Sequence, residues 1–300
     1  ILGRLRPDAF LGGEMPLNVL AARGVMQSIA KPLGMSPEQA AEGVIRIANE
    51  HMAHALRVMS VQRGIDPRGL TLVSFGGAGG LHVCALAESL GMQQAMVPIH
   101  AGVLSALGML VAPRSRQLSR THITRLKNMT PGQIDAVFAE LEARGRQELA
   151  AEGLVSAEIE VRRSLDLRYE GQSYYLNLPW DDIRPCEAAF HHLHAERYGH
   201  ELDLPVELVN LRVGLASRSN PLELVQLSDG AASSAYDQVS LYGTEQPAAV
   251  YSRDGLVSGQ QLIGPALVTE TISTTYLAPG WLCEVDVAGS LLLSNQVEQS

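Results

Sequence analysis

Residues Ser74 to His82 read SFGGAGGLH, four glycines in five positions, set between the apolar run LTLVSF and an apolar stretch that begins at Leu81. Ordering glycine this densely costs conformational entropy, so something must come too close to this backbone for side chains to be tolerated. LTLVSF, Leu70 to Phe75, has the length and continuity of a strand buried on both faces. LHVCALAESLG reads as a helix closed by Gly91, and AMVP, Ala95 to Pro98, as a second short strand. The outcome is a β-loop-α-β unit and an α/β fold class for this part of the chain.

A glycine turn between a strand and a helix leaves backbone N–H groups free, with the helix dipole behind them. It can seat a phosphate or a nucleoside lying flat on the main chain; a tight connection with no ligand has the same pattern. Two familiar versions are excluded. No Lys followed by Ser or Thr completes a P-loop, and the G-x-G-x-x-G fingerprint fits at Gly77 and Gly79 but fails at His82. Where that fingerprint wants an acid, the chain has Val97 and Pro98.

The flanking elements are equally explicit. Ser36 as N-cap, Pro37 at the first helical position and Gln39 in capping-box register predict a helix to about Gln62. Val44, Ile47, Ala48, Ala55, Val58 and Met59 would form its apolar face. A second helix is expected from about Pro131 to Glu152 and a short one near Cys186 to Tyr198. Ile159, Val161, Leu165, Leu167 and Tyr169 alternate as one face of a strand, as do Val209, Leu211, Val213 and Leu215. Ser217 to Gln246 reads as a loop, and the last fifty residues as strands broken at Gly264-Pro265, Pro279-Gly280 and Ala288-Gly289. With 300 residues, 46% of them apolar, two domains are expected, 1–125 and 126–300.

Charge and composition narrow the partners. A net charge of -9 without any long basic run argues against nucleic acid. The longest nearly uncharged stretch, Ala101 to Ala112, is about half of the roughly 20 residues a membrane helix needs. Three distant cysteines, Cys84, Cys186 and Cys283, fit a reducing cytoplasm. Residue 1 is Ile in a sequence that reads like the middle of a domain, so a fragment of something longer is expected.

The other candidate clusters have structural explanations. His191, His192, His194 and His200 lack H-E-x-x-H spacing and lie among Phe190, Leu193 and Tyr198, so they read as packing and no metal site is expected. Asp166 sits in an alternating strand with its side chain toward solvent, and Asp181-Asp182 ends a strand. His100 and Ser105 lie just past the second short strand and can meet near the glycine turn, as His82 can. No catalytic base stands out.

Taken together, RPDAFLGGEM, IANEHMAHALRVMSVQRGIDPRGLTLVSFGGAGGLH, AGVLSALGML, LRYEGQSYYL and GPALVTETISTTYLAPGW resemble, in order, the hydantoinase A and 5-oxoprolinase family, whose wider group includes acetone carboxylase. The resemblance implies the carboxyl-terminal part of an actin- or hexokinase-like ATPase domain followed by a mixed, mostly β domain. It implies that Gly76, Gly77, Ala78, Gly79 and Gly80 contact the adenosine of ATP, with His82, His100 and Ser105 as possible lining residues. Gly80 stands where the family usually has Pro. It further implies ATP and Mg²⁺ in the complete enzyme, phosphorylation of a small cyclic amide before hydrolysis, and a companion hydantoinase B-type subunit or domain; the alternatives are an ATP-dependent carboxylase subunit of the acetone carboxylase type and a non-catalytic assembly region for the companion subunit. The family's amino-terminal phosphate hairpins have no match in these residues, so the chain alone is expected to be inactive.

Overall fold

The computed structural model describes residues 1–154, 159–218, 227 and 230–296. Its fold class is mixed helix and sheet, as expected. The packing divides the chain into two compact units, Ile1–Leu110 with Glu223–Ser300, and Val111–Leu222. That division differs from the expected 1–125 and 126–300.

The first unit opens with α1 (Val19–Ala30) and α2 (Pro37–Met59). The Ser36–Gln39 capping box forms in both directions, and Gly64, at φ +78°, stops the 3-10 turn that follows the helix. β1 (Thr71–Val73), α3 (Val83–Ser89) and β2 (Gln94–Val97) make the expected β-loop-α-β unit, with β1 and β2 parallel. α4 (Leu104–Val111) follows.

The second unit holds β3 (Ser115–Arg125), α5 (Pro131–Ala151), β4 (Ile159–Tyr169), β5 (Leu176–Pro179), α6 (Ile183–Tyr198) and β6 (Val206–Ser217). Its strands form one antiparallel sheet in the order β3-β6-β4-β5. Ile134, Phe138, Leu141 and Leu149 of α5 and Phe190 of α6 pack on Leu165, Leu167, Leu211 and Leu215. Gly145 is required here, because a Cβ would meet the Leu215 and Leu118 side chains and hold α5 off the sheet. His191, His194 and His200 belong to a cluster of ring contacts here, and His192 is exposed. The His194 side chain is buried, with its Nδ1 on the His200 carbonyl oxygen at 2.8 Å, and Tyr169 Oη lies 2.7 Å from His191 Nδ1.

The chain then returns to the first unit with β7 (Asp237–Val239), β8 (Ala248–Ser252), β9 (Gln261–Ile263), β10 (Ala266–Thr269), β11 (Thr274–Leu277), β12 (Trp281–Val285) and β13 (Leu291–Asn295). β13 pairs with β2, Leu291 opposite Val97 and Leu293 opposite Ala95, and completes a sheet ordered β1-β2-β13-β12-β9. The physical reason for the changed division is the free edge of β2. Its buried Ala95 and Val97 need partners, and Cys283, Val285, Leu291 and Leu293 supply the matching apolar surface. A second sheet, β11-β10-β8-β7, packs beside Leu241. β7 lies inside the stretch expected to be a loop, and residues 219–226 and 228–229 of that stretch are outside the described residues.

Two burial expectations are corrected. β1 is not buried on both faces: it is an edge strand, and Leu70, Val73 and Phe75 are exposed. The predicted apolar face of α2 is also largely exposed at Val44, Ile47, Val58 and Met59, whereas Ala40 and Ala53 are buried. Small side chains let α2 lie close to its neighbours, so it packs on its alanines.

Candidate functional site: the glycine turn and its cleft

From β1 the chain enters the glycine turn at Ser74, whose N–H donates to the Met96 carbonyl of β2 at 2.8 Å. Gly76 takes φ +90°, and its N–H donates to the Ala101 carbonyl at 2.7 Å. The turn therefore lies against the segment that follows β2, the segment of His100. Gly79–Leu81 forms a 3-10 turn, and α3 begins only at Val83 and runs for seven residues. The expected helix N-terminus behind the glycines is thus displaced from them. The donors available come from the loop itself.

What approaches these glycines is the chain's own β10-β11 hairpin. A Cβ on Gly77 would lie 2.7 Å from the Ile272 carbonyl oxygen, and one on Gly80 would lie 2.6 Å from Thr275 Oγ1 and 2.9 Å from the Thr274 carbonyl oxygen. Gly102 is crowded in the same way by the Ile272 side chain, 2.8 Å from its Cβ position. Thr274 N–H also donates to the Gly77 carbonyl at 3.3 Å. Gly76, by contrast, has open space beside it.

One side of the turn remains open as a cleft of about 210 Å³. Gly77, Ala78 and Leu81 form one wall, Thr269 to Thr274 another, and Leu5, Phe10 and Leu11 a third. Among the described residues no acceptor takes the Gly77 or Ala78 N–H. Ser273 Oγ is buried in this wall without a hydrogen-bond partner. Arg6, also in the lining, is held by Asp8 and Asp237, which keep its guanidinium pKa raised through their hydrogen bonds. The cleft is therefore apolar on one side and offers two backbone donors and one unpaired hydroxyl on the other. Gly77 and Ala78 are exposed, so of these groups the Ser273 hydroxyl is the buried unsatisfied one, a kind that is rare and calls for a ligand or ordered water.

The remaining predicted residues separate. His82 lines a different groove, between α1 and α2, where its Nδ1 lies 2.7 Å from Asn49 Oδ1. His100, at φ +59°, lines a second cleft with Arg253 and Glu270. Ser105 is exposed on α4 and lines neither cleft. Sequence reasoning missed Ser273 and the Ile272–Thr275 turn as neighbours of the glycines. Nothing local marks that proximity, because it is created by pairing across nearly 200 residues. Cys84 and Cys283 are buried, and burial pushes both thiols up to about 12, which keeps them protonated at neutral pH.

Burial, aided by the nearby Arg4 charge, lowers the His82 pKa below its ordinary 6.5. The folded chain therefore binds this proton less readily than the unfolded chain. Stability from this group is fully present above 6.5 and is lost as pH falls toward the depressed folded value. Denaturation midpoints measured across this range should decline on acidification, with a smaller slope in His82→Gln.

A strand, glycine turn and helix covered by a hairpin, with a cleft beside the turn, form an α/β unit. Residues 1–117 match the hydantoinase/oxoprolinase family model. The chain is 31% identical over 312 residues to the caprolactamase subunit alpha of Pseudomonas jessenii, with 98% of this chain and 45% of that protein covered. An uncharacterized protein of Methanocaldococcus jannaschii is 35% identical over 297 residues, 97% of this chain and 43% of its own length. The chain thus spans less than half the length of these relatives. Among solved structures, the ATP-dependent caprolactamase of Pseudomonas jessenii superposes with a TM-score of 0.78 at 29% identity over 98% of this chain and 45% of its own. Nucleotide-free acetone carboxylase shares the fold, with a TM-score of 0.75 at 22% identity over 98% of this chain and 45% of its own. No helix among the described residues is long and apolar enough to cross a membrane.

Proposed function

We propose that this chain is the nucleotide-facing part of an ATP-dependent enzyme that opens small cyclic amides in the cytoplasm, together with a companion hydantoinase B-type subunit or domain. The observation that carries the reading is the cleft at the glycine turn, with the free Gly77 and Ala78 amides opposite the unpaired Ser273 hydroxyl. Those groups fit an acceptor-rich, flat ligand such as adenosine. Of the expected Gly76 to Gly80, Gly77 and Ala78 line the cleft and would lie along it, Leu5, Phe10 and Leu11 would exclude water, and Ser273 would donate to or accept from the base or ribose. Bound ATP supplies the phosphoryl group that turns a poorly electrophilic amide carbonyl into one that water can attack. Magnesium, which would accompany the nucleotide phosphates, is proposed only for the complete enzyme. The likeness to caprolactamase subunit alpha favours a cyclic amide over a ketone as the activated substrate.

Calorimetric titration of the protein with Mg-ATP and ADP tests the reading. Binding is expected, and Ser273→Val should weaken it about tenfold, which corresponds to about 1.4 kcal/mol. Undiminished binding by that variant would remove the cleft from the nucleotide site. ATP-dependent loss of caprolactam or 5-oxoproline, compared with acetone plus bicarbonate, then separates amide hydrolysis from carboxylation.

A further inference from the structure

The face of the β3-β6-β4-β5 sheet that bears Arg162 and Arg212 has a separate cleft of about 650 Å³, lined by Gln117, Arg162, Ser164, Asn177, Arg212 and Gly214 among others. Strand register brings these residues together. Arg162 stands opposite Gly214, Ser164 opposite Arg212 and Asp166 opposite Asn210, and alternate residues of a strand share a face. Asp166 was expected to face solvent. It is fully buried, because its neighbours close over it. Asp166 Oδ2 accepts from Asn210 Nδ2 and from Arg212 Nε, each at 2.7 Å, and Oδ1 accepts from Asn177 Nδ2 at 2.8 Å.

This network fixes Arg212 in one orientation. Its Nη2 donates to Tyr175 Oη at 3.2 Å, its guanidinium is partly exposed, and Nη1 has no protein acceptor among the described residues. The charges then nearly cancel. Asp166 balances Arg212, Glu142 holds Arg163 at 2.8 Å, and Glu160 lies 3.8 Å from Arg218. Arg162 is exposed and has no ion-pair partner among the described residues. Glu160 itself lines the cleft and Asp135 lies 3.8 Å from Arg163, so the charges balance, and Arg162 is the lining guanidinium left without a carboxylate partner among the described residues, on a chain whose net charge is -9.

We propose that this cleft binds a small monocarboxylate, with the held Arg212 as the directional donor and Arg162 supplying the balancing charge. A guanidinium fork matches a planar carboxylate, and one guanidinium without a carboxylate partner suits a monoanion better than a phosphate dianion. Asp166 is a positioning residue that presents Arg212. The inference does not depend on nucleotide binding or amide hydrolysis.

The test is saturation-transfer NMR and calorimetry on the full-length chain, with butyrate as the probe and butyramide and sulfate as controls. Butyrate is expected to bind in the millimolar range, butyramide not to bind, and sulfate to bind more weakly. Arg162→Gln, at an exposed position that should leave folding intact, is expected to weaken butyrate binding about tenfold, and Arg212→Gln at least as much. Absence of butyrate binding, equal binding of butyramide, equal or tighter binding of sulfate, or undiminished binding by a folded Arg162→Gln variant would overturn the proposal.

Discussion

Asp166→Ala should lower the stability of the second unit by about 3 kcal/mol or more, the largest single-residue effect expected in this chain. The substitution removes the acceptor of Asn210 Nδ2 and Arg212 Nε, leaves Asn177 Nδ2 only Ser164 Oγ, and takes away the carboxylate that balances Arg212. Removing one partner of a buried charged network costs far more than the network's net contribution, because the remaining groups were desolvated to make it. Against a usual domain stability of about 5–15 kcal/mol, a loss of that size moves the unfolding midpoint well clear of error. Asp166→Asn keeps the shape and one acceptor oxygen, so it should cost less. Chemical denaturation of the three proteins measures the order. A cost below about 1 kcal/mol for Asp166→Ala would mean that water satisfies these groups once the carboxylate is gone.

Gly80→Val should be nearly as damaging, by about 3 kcal/mol, even with no nucleotide present. A Cβ alone would lie 2.6 Å from Thr275 Oγ1 and 2.9 Å from both the Thr274 carbonyl oxygen and the Thr275 Cα. Two of those three atoms are backbone, in a hairpin whose position is set by β10-β11 pairing, so relief requires moving the sheet. Gly76→Ala is the control. Its Cβ meets open space, and its φ of +90° alone should cost about 1 kcal/mol. Thermal unfolding without ligand separates the two causes. Equal, small shifts for both variants would show that the hairpin yields and that crowding does not explain the glycine at position 80.

This contrast bears on the origin of the glycine pattern. The density of SFGGAGGLH announces a close approach, and the sequence admits two explanations, a ligand or a tight connection. Gly77 and Gly80 are explained by the Ile272–Thr275 turn, while the Gly77 and Ala78 amides remain free to meet a ligand in the cleft. One short motif thus meets the hairpin with its Cα atoms and lines the cleft at Gly77 and Ala78.

What was legible from the residues was local. The Ser36 capping box starts α2, Gly64 and Gly91 adopt the left-handed conformation at helix ends, and the alternation of Leu165, Leu167 and Tyr169 places them inside. Each of these signals depends on groups within a few positions of one another, so a backbone dihedral or a side-chain cap suffices to produce it. The glycine turn, its β-loop-α-β setting and the family resemblance belong to the same class.

Tertiary structure alone decided what each surface meets. α2 packs through Ala40 and Ala53 instead of through Val44 and Ile47, β1 lies at an edge with Phe75 exposed, and Asp166 is sealed beneath residues from β5 and β6. β13 completes the sheet of β2 after the chain has formed a whole second unit between them. Residue type states that a group can be buried or a strand edge paired. Which partner does so depends on contacts hundreds of positions away, whose loop-closure cost rises only slowly with separation, so no local pattern records the choice.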